Sequence, residues 1–227
     1  MTTATRNAKD VTVKSSRVME QAAAAAESAL AGRMTADDIK AEIEARVQAQ
    51  LDRALASAGA ERAELENWWD IFAIGPIQVT GAPPVQPGCV VKAGEPAFAV
   101  SVLVLNPFLA LPGPTDAATL LSSFGLPYEV QFQTSNISAM IPALADVQAS
   151  NLIPGVFFYV NVSLLPTATP GMYETNILAR IEGAGVPASA PQFGGFATAI
   201  LDLDNPGLFG PGPGVNFNQP IRYVVYP

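Results

Sequence analysis

The chain has 227 residues, with 12 Lys or Arg, 20 Asp or Glu and no His, for a formal charge of −8. An acidic chain offers no basic surface to a phosphate backbone, so nucleic acid is not an expected partner. Without histidine there is no Ser-His-Asp triad, no Cys-His dyad and no imidazole metal ligand, and one cysteine forms no internal disulfide.

Charge divides the chain near residue 70. Residues 1–70 hold 9 basic and 12 acidic residues, whereas 71–227 hold 3 and 8. All 20 prolines lie at or beyond Pro76. The shift predicts a helical arm of two to three helices over 1–70 and an all-β sandwich, immunoglobulin-like or jelly-roll-like, over 71–227. By content this is α+β.

In the arm, a first helix is expected from Ser15 or Ser16 to Leu30, stopped by Gly32. A second runs from Thr35 to Ala58, with Thr35 as N-cap, Asp38 three residues on, and Gly59 as stop. Its apolar residues Ile39, Ile43, Val47, Leu51 and Leu55 recur every fourth position. That spacing drifts by about 40° per step, so it is not a heptad seam. One narrow stripe cannot bury itself. It must pack on another helix, on its own sandwich or on a copy of the chain. A short third turn, Ala60 to Trp69, leads into the sandwich. The five stripe residues, with Trp68 and Trp69 at the junction, are the expected interface residues. At least one tryptophan is expected to anchor the helical end onto the sheet.

Beyond the arm, strands are expected at Ile71–Val79, Cys89–Lys92, Ala97–Leu105, Tyr128–Thr134, Gly155–Leu165, Met172–Glu182, Phe196–Leu203 and Ile221–Tyr226, separated by Gly/Pro clusters. A short helix is expected at Asp116–Ser123, capped by Thr115. Two kinds of strand stand apart. In Met172–Glu182 and Tyr128–Thr134, apolar and polar residues alternate, as in strands with one wet face. Ala97–Leu105 and Val156–Leu165 are apolar on both faces. A two-layer sandwich must cover the outer side of such strands. The helical segment is expected to cover one, and a neighbouring subunit the other.

The run Leu165-Pro166-Thr167-Ala168-Thr169-Pro170-Gly171-Met172-Tyr173 resembles the turn that opens a strand in bacterial immunoglobulin-like domains, where Pro-Gly precedes a strand beginning with Tyr. The resemblance covers these nine residues and implies fold class alone.

Candidate chemistry is sparse. Asp202, Asp204 and Asn205 form a weak candidate for a hard cation, because they place three oxygen-bearing side chains before a turn, but no distal Glu completes a calcium loop. A strand end with an Asx-turn is the plainer reading. Cys89 lies in an apolar run and is expected to be a buried structural thiol. The acidic residues of the β-region suggest no paired-carboxylate site. The sequons at Asn136 and Asn161 matter only in a eukaryotic secretory pathway. Neither a signal peptide nor a transmembrane span is expected, nor any catalytic residue or cofactor. The expected function is that of a structural, self-assembling homo-oligomeric subunit of a filament, fibre, sheath or shell, in the cytoplasm or a virion. The alternative is a sandwich module that binds a carbohydrate, lipid or peptide.

Overall fold

The computed structural model describes residues 35–57, 67–78, 87–109, 116–182, 193–200 and 220–227. The expected first helix, Gly32, Gly59 and most of the third turn lie outside these residues, as do Thr115 and the stretch 201–219. The elements are α1 (Ala36–Ser57), β1 (Trp69–Ile77), β2 (Val90–Lys92), β3 (Phe98–Leu105), α2 (Ala117–Ser123), β4 (Pro127–Asn136) and β5 (Ile141–Asn151). They continue with β6 (Phe158–Leu164), β7 (Gly171–Ile181), β8 (Phe193–Phe196), β9 (Thr198–Ile200) and β10 (Ile221–Tyr226). The chain is α+β with a β-sandwich core. One sheet has the order β6-β3-β1-β9, the other β2-β10-β7-β4-β5, with β8 also on β7.

Helix α1 starts where the sequence places it. Thr35 N donates to Asp38 Oδ2 at 2.7 Å, and Asp38 N donates to Thr35 Oγ1 at 3.2 Å. Each side chain satisfies the other's free amide, which fixes the first turn. The Thr35 N–H, and next the Thr35 hydroxyl, which also donates to Asp38 Oδ2 at 2.8 Å, hold the Asp38 carboxyl below its ordinary pKa. Ile39, Ile43, Val47 and Leu51 are buried against Ile74, Ile77, Phe98, Val100, Val102, Val104 and Val160 of the first sheet.

This packing alters the expectation for the doubly apolar strands. β3 and β6 are neighbours in one sheet, in antiparallel register from Phe98↔Leu164 to Val104↔Phe158. On β3, even-numbered residues face α1, while Ala99, Leu103 and Leu105 face the second sheet. One helix of the same chain therefore covers the outer side of β3 and of β6 as far as Val162, with Leu164 left exposed, and the predicted neighbouring subunit is not needed over the covered part.

The second sheet follows its alternation. Tyr173, Thr175, Ile177, Ala179 and Ile181 of β7 and Tyr128, Val130 and Phe132 of β4 point inward and are buried. Tyr223 stacks on Tyr173 with ring centroids 5.3 Å apart, and burial raises the Tyr223 pKa. Two polar pairs interrupt this core: Thr134 Oγ1 meets Thr175 Oγ1 at 2.8 Å, and Asn161 Nδ2 donates to Ser101 Oγ at 3.4 Å. Tyr173 Oη donates back to the Thr169 carbonyl at 2.8 Å, closing the turn that opens β7.

Four further expectations are corrected. The cap of α2 is Asp116, whose Oδ1 accepts from Thr119 N at 2.7 Å, in place of Thr115. β5 was not expected at all. Of the strand predicted over Phe196–Leu203, residues 201–203 lie outside the described residues, and the described part is split between the end of β8 on β7 and β9 on β1, with buried Ala197 between them where the chain changes sheets. Cys89 is exposed, because it precedes β2 at the rim of the second sheet.

Gly75 sits at the register shift of β1, at φ 139°. A Cβ there would lie 2.9 Å from the Phe98 carbonyl oxygen, so a side chain would push β1 off β3.

Candidate functional site

The expected interface residues are used mostly within the chain. Ile39, Ile43, Val47 and Leu51 fill the groove between α1 and the first sheet, while Leu55 remains 46% exposed at the far end of the helix. Trp68 and Trp69 are both buried in the sandwich core, at the start of β1. Asp202, Asp204 and Asn205 lie outside the described residues. Among the described residues, no three His, Cys, Asp or Glu side chains are grouped to hold a metal ion. No helix among them is long and apolar enough to cross a membrane. Both sequon asparagines, Asn136 and Asn161, are buried.

The described carboxylates of the sandwich have structural partners. Glu95 accepts from Lys92 Nζ at 2.7 Å, Glu174 from Arg222 at 2.8 Å, and Arg180 bridges Glu129 and Glu182 at 2.9 and 2.8 Å. Asp116 caps α2, and Asp146 accepts from Gln148 Nε2 at 2.9 Å. The Glu129 carboxyl is held below its ordinary pKa by the Gln131 amide first and Arg180 second. The pairs of Arg222 with Glu174 and of Arg180 with Glu129 and Glu182 lie on the outer face of the second sheet, with Gln131, Gln133 and Asn176 between them. The centre of that face is a polar ladder.

Its margins are not. Val90 of β2 pairs with Val224 of β10, which pairs with Met172 of β7. The three form one outward-facing row, in which Val90 is 64% exposed. The row continues into the β4–β5 turn, where Ile137 N donates to the Met172 carbonyl at 2.8 Å. Exposed Ile137 extends it, and Met140 of the same turn is 90% exposed. At the opposite margin, Ala143, Ala145, Val147 and Ala149 of β5 are exposed along the sheet's last strand. Sequence reasoning missed both margins. The signals available were the outward positions of Met172, Val224 and Val90, which are apolar where the central positions carry Glu, Gln and Arg.

No protein-family model matches the chain, and no curated protein matches it. A functional reading therefore rests on these surfaces.

Proposed function

We propose that the chain is a non-catalytic structural subunit that associates with copies of itself, built on an immunoglobulin-like sandwich and assembled in the cytoplasm or in a virion. The observation that carries the reading is the exposed apolar row Val90–Val224–Met172, with Ile137 at its end and Met140 in the same turn. Scattered exposed apolar residues are ordinary; a contiguous band across three strands and a turn is a contact surface awaiting cover. Association of copies supplies such cover symmetrically.

Strand order supports immunoglobulin-like over jelly-roll topology. β6-β3-β1 corresponds to an E-B-A sheet, and β10-β7-β4-β5 to G-F-C-C′. The Tyr173 bond back to Thr169 stands where the tyrosine corner of that fold stands, at the start of the F strand. An exposed aromatic platform at Trp68 and Trp69 would favour the alternative, a ligand-binding module, and both side chains are buried.

Size-exclusion chromatography with light scattering tests the proposal, together with electron micrographs of the same fractions. Oligomers at micromolar concentration, weakened by Val224→Glu with the circular dichroism spectrum unchanged, are the expected result. A chain that stays monomeric at every accessible concentration overturns the reading.

A further inference from the structure

We infer that β5 is an assembly edge: the β5 strands of two copies pair antiparallel about a two-fold axis and join their second sheets into one. This rests on the self-assembly reading and names a contact through which it works.

The first argument compares sheet edges. An edge strand presents unpaired N–H and C=O groups, which a protein otherwise closes or guards. At β2, the side-chain amide of Gln78 closes on the Lys92 main chain, donating to its carbonyl at 3.0 Å and accepting from its N–H at 2.7 Å. At β6, Gln148 Nε2 donates to the Val162 carbonyl at 2.7 Å. β5 is the last strand of its sheet and is 11 residues long. In an antiparallel pair, every second residue turns its N–H and C=O away from the partner strand. Among the described residues, nothing pairs with that outer side of β5.

The second argument concerns how few guards the strand carries, the inward charge of Asp146 being the one within its regular part. Residues 141–151 contain no Lys or Arg. Pro142 and the bulge opposite Thr134 and Ser135 both sit at one end of β5, leaving 143–151 regular. The strand's one charge, Asp146, lies in register with inward-facing Phe132 and accepts from Gln148. The opposite face shows Ala143, Ala145, Val147 and Ala149, which are small enough for close approach of a second sheet edge.

Avoidance of like charge then selects a register. An axis through Asp146 would set two carboxylates directly opposite, which is unfavourable. An axis through Val147 sets each Asp146 opposite the uncharged Gln148 of the other copy, so no like charges face each other, and each Ala145 opposite Ala149. It pairs 143–151 of both copies and leaves Pro142 outside the overlap.

The test uses the full chain with Cys89→Ser as background. In the inferred register the two Val147 Cα atoms lie about 4.5–5.5 Å apart, within disulfide reach. Val147→Cys is therefore expected to give a covalent dimer on oxidation, whereas Ile153→Cys, also exposed but beyond the strand, is not. Val147→Lys is expected to abolish the β5 contact, with the circular dichroism spectrum retained. If the protein associates, yet Val147→Cys gives no dimer and Val147→Lys leaves association unchanged, strand pairing is overturned and self-assembly stands on another surface. If the parent chain is monomeric and Val147→Cys stays uncrosslinked, both readings fall.

Discussion

The side-chain amide of Gln78 meets the main chain of Lys92 as a neighbouring strand would, with one bond in each direction at 3.0 and 2.7 Å. Gln78 follows β1 of the first sheet and Lys92 ends β2 of the second, so the contact joins the layers while closing an edge. Removing the amide leaves the Lys92 N–H without this acceptor. Gln78→Ala is expected to cost about 1 kcal/mol. Amide hydrogen exchange should show faster exchange at Lys92, with the protection of β7 unchanged.

Burial separates five residues that look alike in sequence. Ile43 is fully buried beneath α1, and Leu55 is 46% exposed. Ile43→Ala is expected to destabilise the chain by about 2–5 kcal/mol, and Leu55→Ala by no more than about 0.5 kcal/mol. Because α1 packs on its own sheet, the Ile43→Ala loss should not vary with protein concentration. Urea denaturation at two concentrations checks both statements.

The reciprocal bonds between Thr35 and Asp38 make the start of α1 sensitive to one hydroxyl. Thr35→Ala is expected to cost about 1 kcal/mol, whereas Thr35→Ser should restore most of it. Denaturant midpoints of the two variants provide the comparison.

Asp70 gives a pH signature of its own. Its outer edge meets solvent, yet desolvation raises its carboxyl above the ordinary value of 3.8, and the Ile71 N–H at 2.7 Å offsets only part of this. The folded chain then holds this proton more tightly than the unfolded one. The resulting stability is fully present below the unfolded pKa and is lost as pH rises through the raised folded value. Asp70→Asn should therefore be more stable than the parent at about pH 7, with the advantage vanishing by about pH 3. Glu129 works in the opposite sense: its folded pKa is lowered, so its contribution is present above the unfolded value and is lost as pH falls through the folded one. Thermal unfolding midpoints across this range, with Glu129→Gln alongside, separate the two.

Much of this fold was legible because burial writes a period into the sequence. The four-residue spacing from Ile39 to Leu51 marked α1, and alternation marked β4 and β7. What covers a face is not written there. Periodicity showed that β3 and β6 needed shelter on both sides, but not that they are adjacent, which lets one helix serve both. β5 escaped notice for a related reason. Most of its residues are exposed, and its Ala, Pro, Asp and Gln residues carry little strand preference. The candidate surfaces were hidden similarly, because an outward valine differs from an inward one only by its partners.

The passage from β8 through Ala197 to β9 carries a mechanical consequence. One uninterrupted stretch of main chain is hydrogen-bonded to β7 in one layer and to β1 in the other. Traction on either layer is passed to the other along this stretch, so shear between the layers must break the hydrogen bonds that hold β8 to β7 or β9 to β1.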